Sequence, residues 1–203
     1  MLRVNDEDSD HYVDDDGKLY VRVSRVLQQN GITRNYYGSD PFYRDRGKAV
    51  HYGIELLLEG RLDWASLTET TRPFVQACSD FFALSGFVAF DWEVTLGSSL
   101  GFAGTIDLLG WLNGRFVLID YKTGDSVDRA VELQTGGYEI LWNENHPELQ
   151  IQDRYYLQLK QNGKYALSRP LRIKAPAWSF LATYYDWKWK QKQAFPDAPL
   201  PSG

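Results

Sequence analysis

The chemistry in this sequence centres on Asp107, Asp120 and Lys122, which flank the dipeptide Asn113-Gly114. Asn-Gly between two apolar runs signals a hairpin, and a two-residue turn fixes the register of the strands it joins. Counting outward in step from Leu112 opposite Arg115 brings Asp107 opposite Asp120. Facing residues of an antiparallel pair have Cβ atoms about 4.5–5.5 Å apart and project from one face. Lys122 shares that face by the two-residue period, as do Leu109, Trp111, Phe116 and Leu118. The reverse face, Ile106, Leu108, Val117 and Ile119, is also apolar, so the hairpin is expected at the centre of a sheet covered on both sides. Opposed carboxylates repel, at a cost on the order of several tenths of a kcal/mol or more. A divalent cation between them would convert that repulsion into binding, whereas without one they would be solvated or paired with Lys122.

Other polar groups point toward the same place. If Leu96 faces Phe102 across the loop Gly97–Gly101, Glu93 falls opposite Thr105 and diagonal to Asp107. His51 lies on the inward stripe of a helix with Ile54 and Leu58, and Gln134 lies among Ala130, Val131, Tyr138 and Leu141. A lone inward histidine is more often a hydrogen-bonded core residue than a ligand. Arg44, Arg46 and Lys48, beside the histidine, are placed to contact phosphate.

These residues need a scaffold, and the patterning supplies one. Leu19–Val23 reads as a strand, and Ser24 is expected to cap a short helix, Arg25–Gln29, stopped by Asn30-Gly31. Helical spacing runs over 43–59, ended by Gly60, and a further helix starts at Pro73 and closes at Gly86. Phe87–Leu96, Phe102–Leu112 and Arg115–Lys122 form a meander, followed by a helix over 126–143. A second hairpin, Asp153–Gln161 and Lys164–Ile173, precedes a helix over 177–194. That helix interleaves Tyr184, Tyr185, Trp187 and Trp189 with Lys188, Lys190 and Lys192, which could stack on unpaired bases and contact phosphate. The favoured expectation is that Trp178, Leu181 and Tyr185 form an inward stripe and the lysines a solvated face. The order defines an α/β (α+β) domain with a central mixed sheet flanked by helices.

Composition limits the alternatives. The 203 residues are 43% hydrophobic and 15% aromatic, which suits one globular domain and argues against wholesale disorder. Cys78 is the single cysteine, so an internal disulfide, a four-cysteine zinc site and a four-cysteine iron–sulfur cluster are excluded. Neither a membrane-spanning run nor a signal-peptide core is evident, and a cytoplasmic setting is expected. Net charge is −5, but residues 1–16 hold seven acids against Arg3. Removing these from the totals of 27 acidic and 22 basic residues leaves 20 and 21, so the body is near neutral. The chain divides into an acidic lead (1–16) expected to be partly mobile, one domain (17–195) and a Pro-rich tail (196–203).

Five pieces occur in order: Val23-Ser24-Arg25-Val26-Leu27; Arg46-Gly47 with His51; Gly104-Thr105-Ile106-Asp107; Ile119-Asp120-Tyr121-Lys122-Thr123-Gly124; and Gln134 with Tyr138. Together they resemble the PD-(D/E)xK nuclease superfamily, in its RecB-type and phage exonuclease branch, over about residues 20–142. The chain departs from some relatives in lacking the cluster cysteines, and from many in having Arg25 where a threonine is frequent.

The resemblance implies a restriction-endonuclease-like core of αβββαβ order and a DNA exonuclease that hydrolyses phosphodiester bonds from ends. It implies a role in phage or bacterial recombination or repair, with a recombinase or single-strand-binding partner and an oligomer among the options. The alternatives are an endonuclease of the same fold or a catalytically silent DNA-binding member. Asp107, Asp120 and the carbonyl of Tyr121 would hold Mg²⁺ or Mn²⁺, His51 would complete the coordination, and Glu93 would serve a second ion. Lys122 would orient the attacking water and Gln134 would position the lysine or the substrate. Tyr138, Ser24 and Arg25 would join Arg44, Arg46 and Lys48 in contacting DNA.

Overall fold

The computed structural model describes residues 2–4, 11–33, 41–124, 126–171 and 174–194. Most of the loop expected before residue 41, the end of the strand expected at Ile173 and the tail over 196–203 lie outside these residues.

The sheet has eight strands: β1 (Arg3–Val4), β2 (His11–Val13), β3 (Leu19–Arg22), β4 (Val88–Gly97), β5 (Phe102–Leu112), β6 (Arg115–Lys122), β7 (Asp153–Leu159) and β8 (Tyr165–Leu167). Five helices accompany it: α1 (Val23–Gln29), α2 (Pro41–Leu58), α3 (Arg72–Leu84), α4 (Ala130–Asn145) and α5 (Lys174–Ala194). The sheet is mixed, with β3 parallel to β5 and β6 parallel to β7. Helices α1, α4 and α5 share one apolar cluster with the sheet, including Phe102, Phe116, Trp142 and Phe180. Helices α2 and α3 share another, including Ile54, Phe81, Val117 and Leu157.

The edges of β5 explain where a site can form. Strand β4 lines one edge from Ala103 to Trp111, so β3 and β6 must share the other. Strand β3 pairs only at Phe102 and Ala103, and β6 only from Leu108 to Leu112. Between them the edge forks open over residues 104–107.

The turn at Asn113-Gly114 has the expected geometry. Both residues have positive φ, 52° and 75°, the requirement of a tight hairpin turn whose twist matches its strands. Leu112 pairs with Arg115, and the register runs in step to Leu108 opposite Ile119. The next position is Asp107 opposite Asp120, and there the strands part.

Three expectations need correction: the β4–β5 register, the cap of α1 and the inward face of α5. The β4–β5 register is shifted by two: Leu96 faces Gly104, Thr95 faces Thr105, and Glu93 falls level with Asp107. The loop tightens because the Ser98 amide bonds to the Phe102 carbonyl, while Glu144 accepts from Ser98 and Ser99. Ser24 does not cap α1; it lies inside the helix, whose flanking residue Arg22 makes no side-chain cap. The acidic lead contributes β1 and β2, with Tyr12 buried against the sheet. Helix α5 turns Phe180, Tyr184 and Trp187 inward, with Leu181 packed at the margin of the core, and leaves Trp178 and Tyr185 exposed. Its orientation is set by Phe102, whose ring meets Phe180 and Tyr184, and by Gln29, which accepts from Trp187.

Candidate metal and hydrolysis site

Asp107 sits at the lip of the fork. Ile106 packs with Leu109, Phe116 and Leu118, whereas Leu108 packs with Val117 and Ile119. The side-chain alternation therefore slips by one at Asp107, and its carboxylate turns toward α2. Strict alternation predicted one face for Asp107 and Lys122; instead the two acids line two sides of the fork. Level with Asp107, Glu93 has φ of 50°, a left-handed backbone costing about 1–2 kcal/mol in a non-glycine residue. That conformation aims the Glu93 carboxylate at α2 as well.

His51, Glu93 and Asp107 converge, each offering a ligand atom with all three atoms within 4.8 Å of one another. His51 Nδ1 is 3.1 Å from Glu93 Oε1 and 3.7 Å from Asp107 Oδ1. The other Asp107 oxygen accepts from the Tyr121 amide at 2.7 Å, a bond made possible by the parting of β5 and β6. The Tyr121 ring is buried beneath the site and meets His51 edge to face at 5.5 Å.

On the α4 side Asp120 is 2% exposed, and its Oδ2 lies 2.6 Å from Lys122 Nζ. That oxygen accepts no aligned hydrogen bond. Lys122 Nζ donates to Gln134 Oε1 at 3.0 Å, and Gln134 Nε2 donates to the Tyr138 hydroxyl at 2.9 Å. The tyrosine thus fixes which end of the amide faces the lysine. Tyr138 lies so close over Gly104 that a Cβ there would stand 2.6 Å from its ring. The glycine of the Gly-x-x-Asp strand is needed for this approach.

Electrostatics follow from crowding anions in a half-buried fork. Burial lowers the His51 pKa, but the charges of Asp107 and Glu93 outweigh it and raise the group to about 9. Burial pushes Asp107 up, with Asp120 and Glu93 adding to the rise and His51 opposing it. Burial also raises Tyr121 and Tyr138.

The donor set fits a divalent metal. One imidazole and two carboxylates meet with Asp120 across the fork, and Asp120 Oδ2 is a buried oxygen lacking an aligned donor. Oxygen donors with one imidazole suit Mg²⁺ or Mn²⁺, the nitrogen favouring Mn²⁺.

The remaining sequence-selected residues surround this centre. Ser24 lines a cleft of about 460 Å³ with Gln28, Thr33, Lys122, Ser126 and Gln134. Arg25 donates to Gln28. Arg44 and Lys48 are exposed on α2. Arg46 is engaged within the fold: it donates to the Thr123 carbonyl at 3.0 Å, and its guanidinium stacks over Phe74 and Tyr43. It ties α2 to the end of the strand that carries Lys122.

Sequence reasoning missed Tyr12. Its hydroxyl is 3.0 Å from Thr105 Oγ1, which in turn is 2.8 Å from Thr95 Oγ1, so β2 braces the strand behind the fork. The short Tyr12-Val13 pair was the available signal, hidden among acids.

A family model described as the PD-(D/E)XK nuclease superfamily matches residues 64–195. The chain belongs to that superfamily, and the forked sheet is its restriction-endonuclease-like fold. The family is one of hydrolytic nucleases that use divalent metals, so nucleic acid is the substrate class and DNA its expected form. No curated protein matches the sequence. Among solved structures, a protein of Eubacterium rectale described as "Putative exonuclease" shares 10% identity at a TM-score of 0.55, covering 89% of this chain and 83% of its own. A second, SSO0001, shares 12% identity at a TM-score of 0.44, covering 85% and 76%. A third, LHK-Exo in complex with dAMP, shares 15% identity at a TM-score of 0.32, covering 88% and 95%. At these identities the first supports the fold, and the other two carry no argument. Among the described residues no helix is long and apolar enough to cross a membrane.

Proposed function

We propose that this nuclease is a divalent-metal-dependent exonuclease that hydrolyses phosphodiester bonds from the ends of linear DNA. The observation that carries the metal-dependent hydrolysis is the convergence of His51, Glu93 and Asp107 within 4.8 Å, across the fork from the Asp120–Lys122 pair. Asp107, Asp120, the Tyr121 carbonyl and His51 would hold Mg²⁺ or Mn²⁺, with Glu93 at the margin for a second ion. A bound divalent ion would lower the pKa of its water and neutralise charge on the scissile phosphate.

The protein's own contribution is orientation and charge. Lys122, between Asp120 and Gln134, presents a cation where negative charge grows in the transition state. Gln134, fixed by Tyr138, keeps the ammonium from swinging away. The left-handed Glu93 and the hydrogen bond from Tyr121 to Asp107 hold the acids ready before substrate arrives. Arg44 and Lys48 on the exposed side of α2 would grip phosphate, Arg46 setting the helix that presents them. Ser24, at the cleft on the α4 side, and its neighbour Arg25 would contact DNA.

The preference for ends rests on the RecB-type motif set and on a near-neutral body, which gives little non-specific affinity for internal duplex at physiological salt. A place in recombination or repair, and a cytoplasmic setting, follow from the same resemblance. The test is digestion of end-labelled linear DNA beside covalently closed circles with Mg²⁺ or Mn²⁺. Loss of the linear substrate with persistent circles is expected. Equally rapid cutting of circles would make the enzyme an endonuclease, and no cutting of either would make it a silent binding protein.

A further inference from the structure

We propose that the outer face of α5 is a stacking platform for an unpaired DNA strand, a second substrate-holding surface outside the hydrolytic fork. The inference rests on the nuclease reading and adds to it where the strand lies beyond the site.

The face is defined by what the core leaves out. With Phe180, Tyr184 and Trp187 inward, the opposite side of the helix carries Trp178, Tyr185 and Trp189, 73%, 53% and 62% exposed. Spacings of seven and four residues put all three on one stripe, spread over roughly 16 Å at the helical rise. A bare Trp-Tyr-Trp stripe is costly to leave in water unless something covers it.

Its chemistry selects the occupant. Flat aromatic rings match the faces of nucleobases, and every base has such a face. Charge agrees: α5 carries Lys174, Lys188, Lys190 and Lys192 against Asp186 alone, in a chain whose net charge is −5. Lys190 is held by Asp186 at 2.5 Å and by Asn30, Lys188 lies over the Tyr184 ring, and helical spacing puts Lys188 and Lys192 on one flank of the aromatic stripe. A second copy of this face would bring two lysine-rich helices together, which disfavours self-pairing. A polyanion with unpaired bases meets both the rings and the lysines.

The stripe lies on the face of α5 turned away from α4. The backbone at Pro176 rests against Gly136 so closely that a Cβ there would stand 2.7 Å away. Gly136 is two residues beyond Gln134 on α4, and Trp178 is two residues beyond Pro176. From there α5 runs along α1, where Asn30 donates to the Thr183 carbonyl.

The experiment measures binding of a fluorescein-labelled twenty-residue oligothymidylate by anisotropy in EDTA, with the full chain and with Trp178→Ala/Tyr185→Ala/Trp189→Ala. Each lost stack weakens binding about fivefold at the low end of its range, so a loss of at least ~100-fold is expected for the three together. Trp178→Phe/Trp189→Phe, which keeps all three rings of the stripe, should stay within a few fold of wild type. Lys188→Gln/Lys192→Gln should reduce the slope of log affinity against log salt by about 1.4. Thermal melts should be unchanged, since the substituted side chains lie outside the core. Three results would overturn the proposal: binding by the triple alanine variant within threefold of wild type, equal affinity for a duplex of the same length, or wild-type self-association that the substitutions abolish. Hydrolysis of linear DNA by the wild-type protein with Mn²⁺ is followed separately. Intact hydrolysis with no binding loss in the variant removes the platform alone, and a binding loss without wild-type hydrolysis removes the nuclease reading alone.

Discussion

Replacing Gly104 with alanine would place a methyl carbon 2.6 Å from Tyr138 Cε1, 3.1 Å from Cδ1 and 3.3 Å from Leu141 Cδ1. None of these atoms can yield cheaply. Tyr138 is buried in the core cluster, and its hydroxyl is fixed by Gln134. Overpacking of this kind costs about 1–3 kcal/mol, and the higher strand propensity of alanine returns roughly 0.5–1 kcal/mol. A net loss of about 1–2 kcal/mol corresponds to roughly 2–8 °C in Tm for a domain of this size. The ring must tilt, and its displacement carries the Gln134 amide away from Lys122. DNA hydrolysis should fall by about tenfold or more, with the larger share in kcat. Tyr138→Phe separates the two effects, since it keeps the ring over Gly104 and removes only the acceptor for Gln134. It should slow turnover with a smaller change in Tm. A Gly104→Ala protein with wild-type Tm and wild-type kcat would refute the coupling from strand to lysine.

Further outcomes follow from the same geometry. In metal-free protein both Asp107 and His51 have raised pKa values, so each contributes stability at low pH that is lost as pH rises. For Asp107 the loss begins above the ordinary carboxylate range, near 3.8, and for His51 it runs from about 6.5 to about 9. Tm in EDTA should fall steadily from pH 5 to 9.5, and Asp107→Asn should flatten that slope; a rising Tm would contradict the assignment. His51→Ala should change the Mg²⁺/Mn²⁺ activity ratio, because the remaining ligands are all oxygen, whereas a core histidine would move Tm alone. Arg154 is fully buried, 2.9 Å from Glu139 Oε2, and donates to Thr135 and the Glu132 carbonyl. Arg154→Met leaves that carboxylate without its cation and should cost about 3–5 kcal/mol by denaturant unfolding.

What the sequence disclosed, and what it hid, divides along physical lines. The β5–β6 register was legible because Asn113-Gly114 permits one tight turn, and local geometry then counts residues without help from the rest of the fold. The register of β4 was not, because a five-residue loop allows several pairings. Phe180, Tyr184 and Glu144, all distant in sequence, select among them. That selection is what brings Glu93 level with Asp107. The slip in alternation at Asp107 was likewise hidden, since period-two reasoning assumes an unbroken ladder and the fork breaks it. On α5 aromatics occur on every side of the helix, so periodicity could not name the inward stripe; Phe102 does. The helices with glycine stops, Gly60 and Gly86, were readable because both residues adopt the left-handed conformation that ends a helix.

The most direct measurement is single-turnover hydrolysis of end-labelled linear DNA with Mn²⁺ by Asp107→Asn, Asp120→Asn and Lys122→Ala, each with its fold verified by circular dichroism. The account predicts a loss of about 10³-fold or more for all three, because each removes charge from the transition state or from the ion's ligand set. A rate within a few fold of wild type in any one of them would contradict the assignment of the fork as the hydrolytic centre.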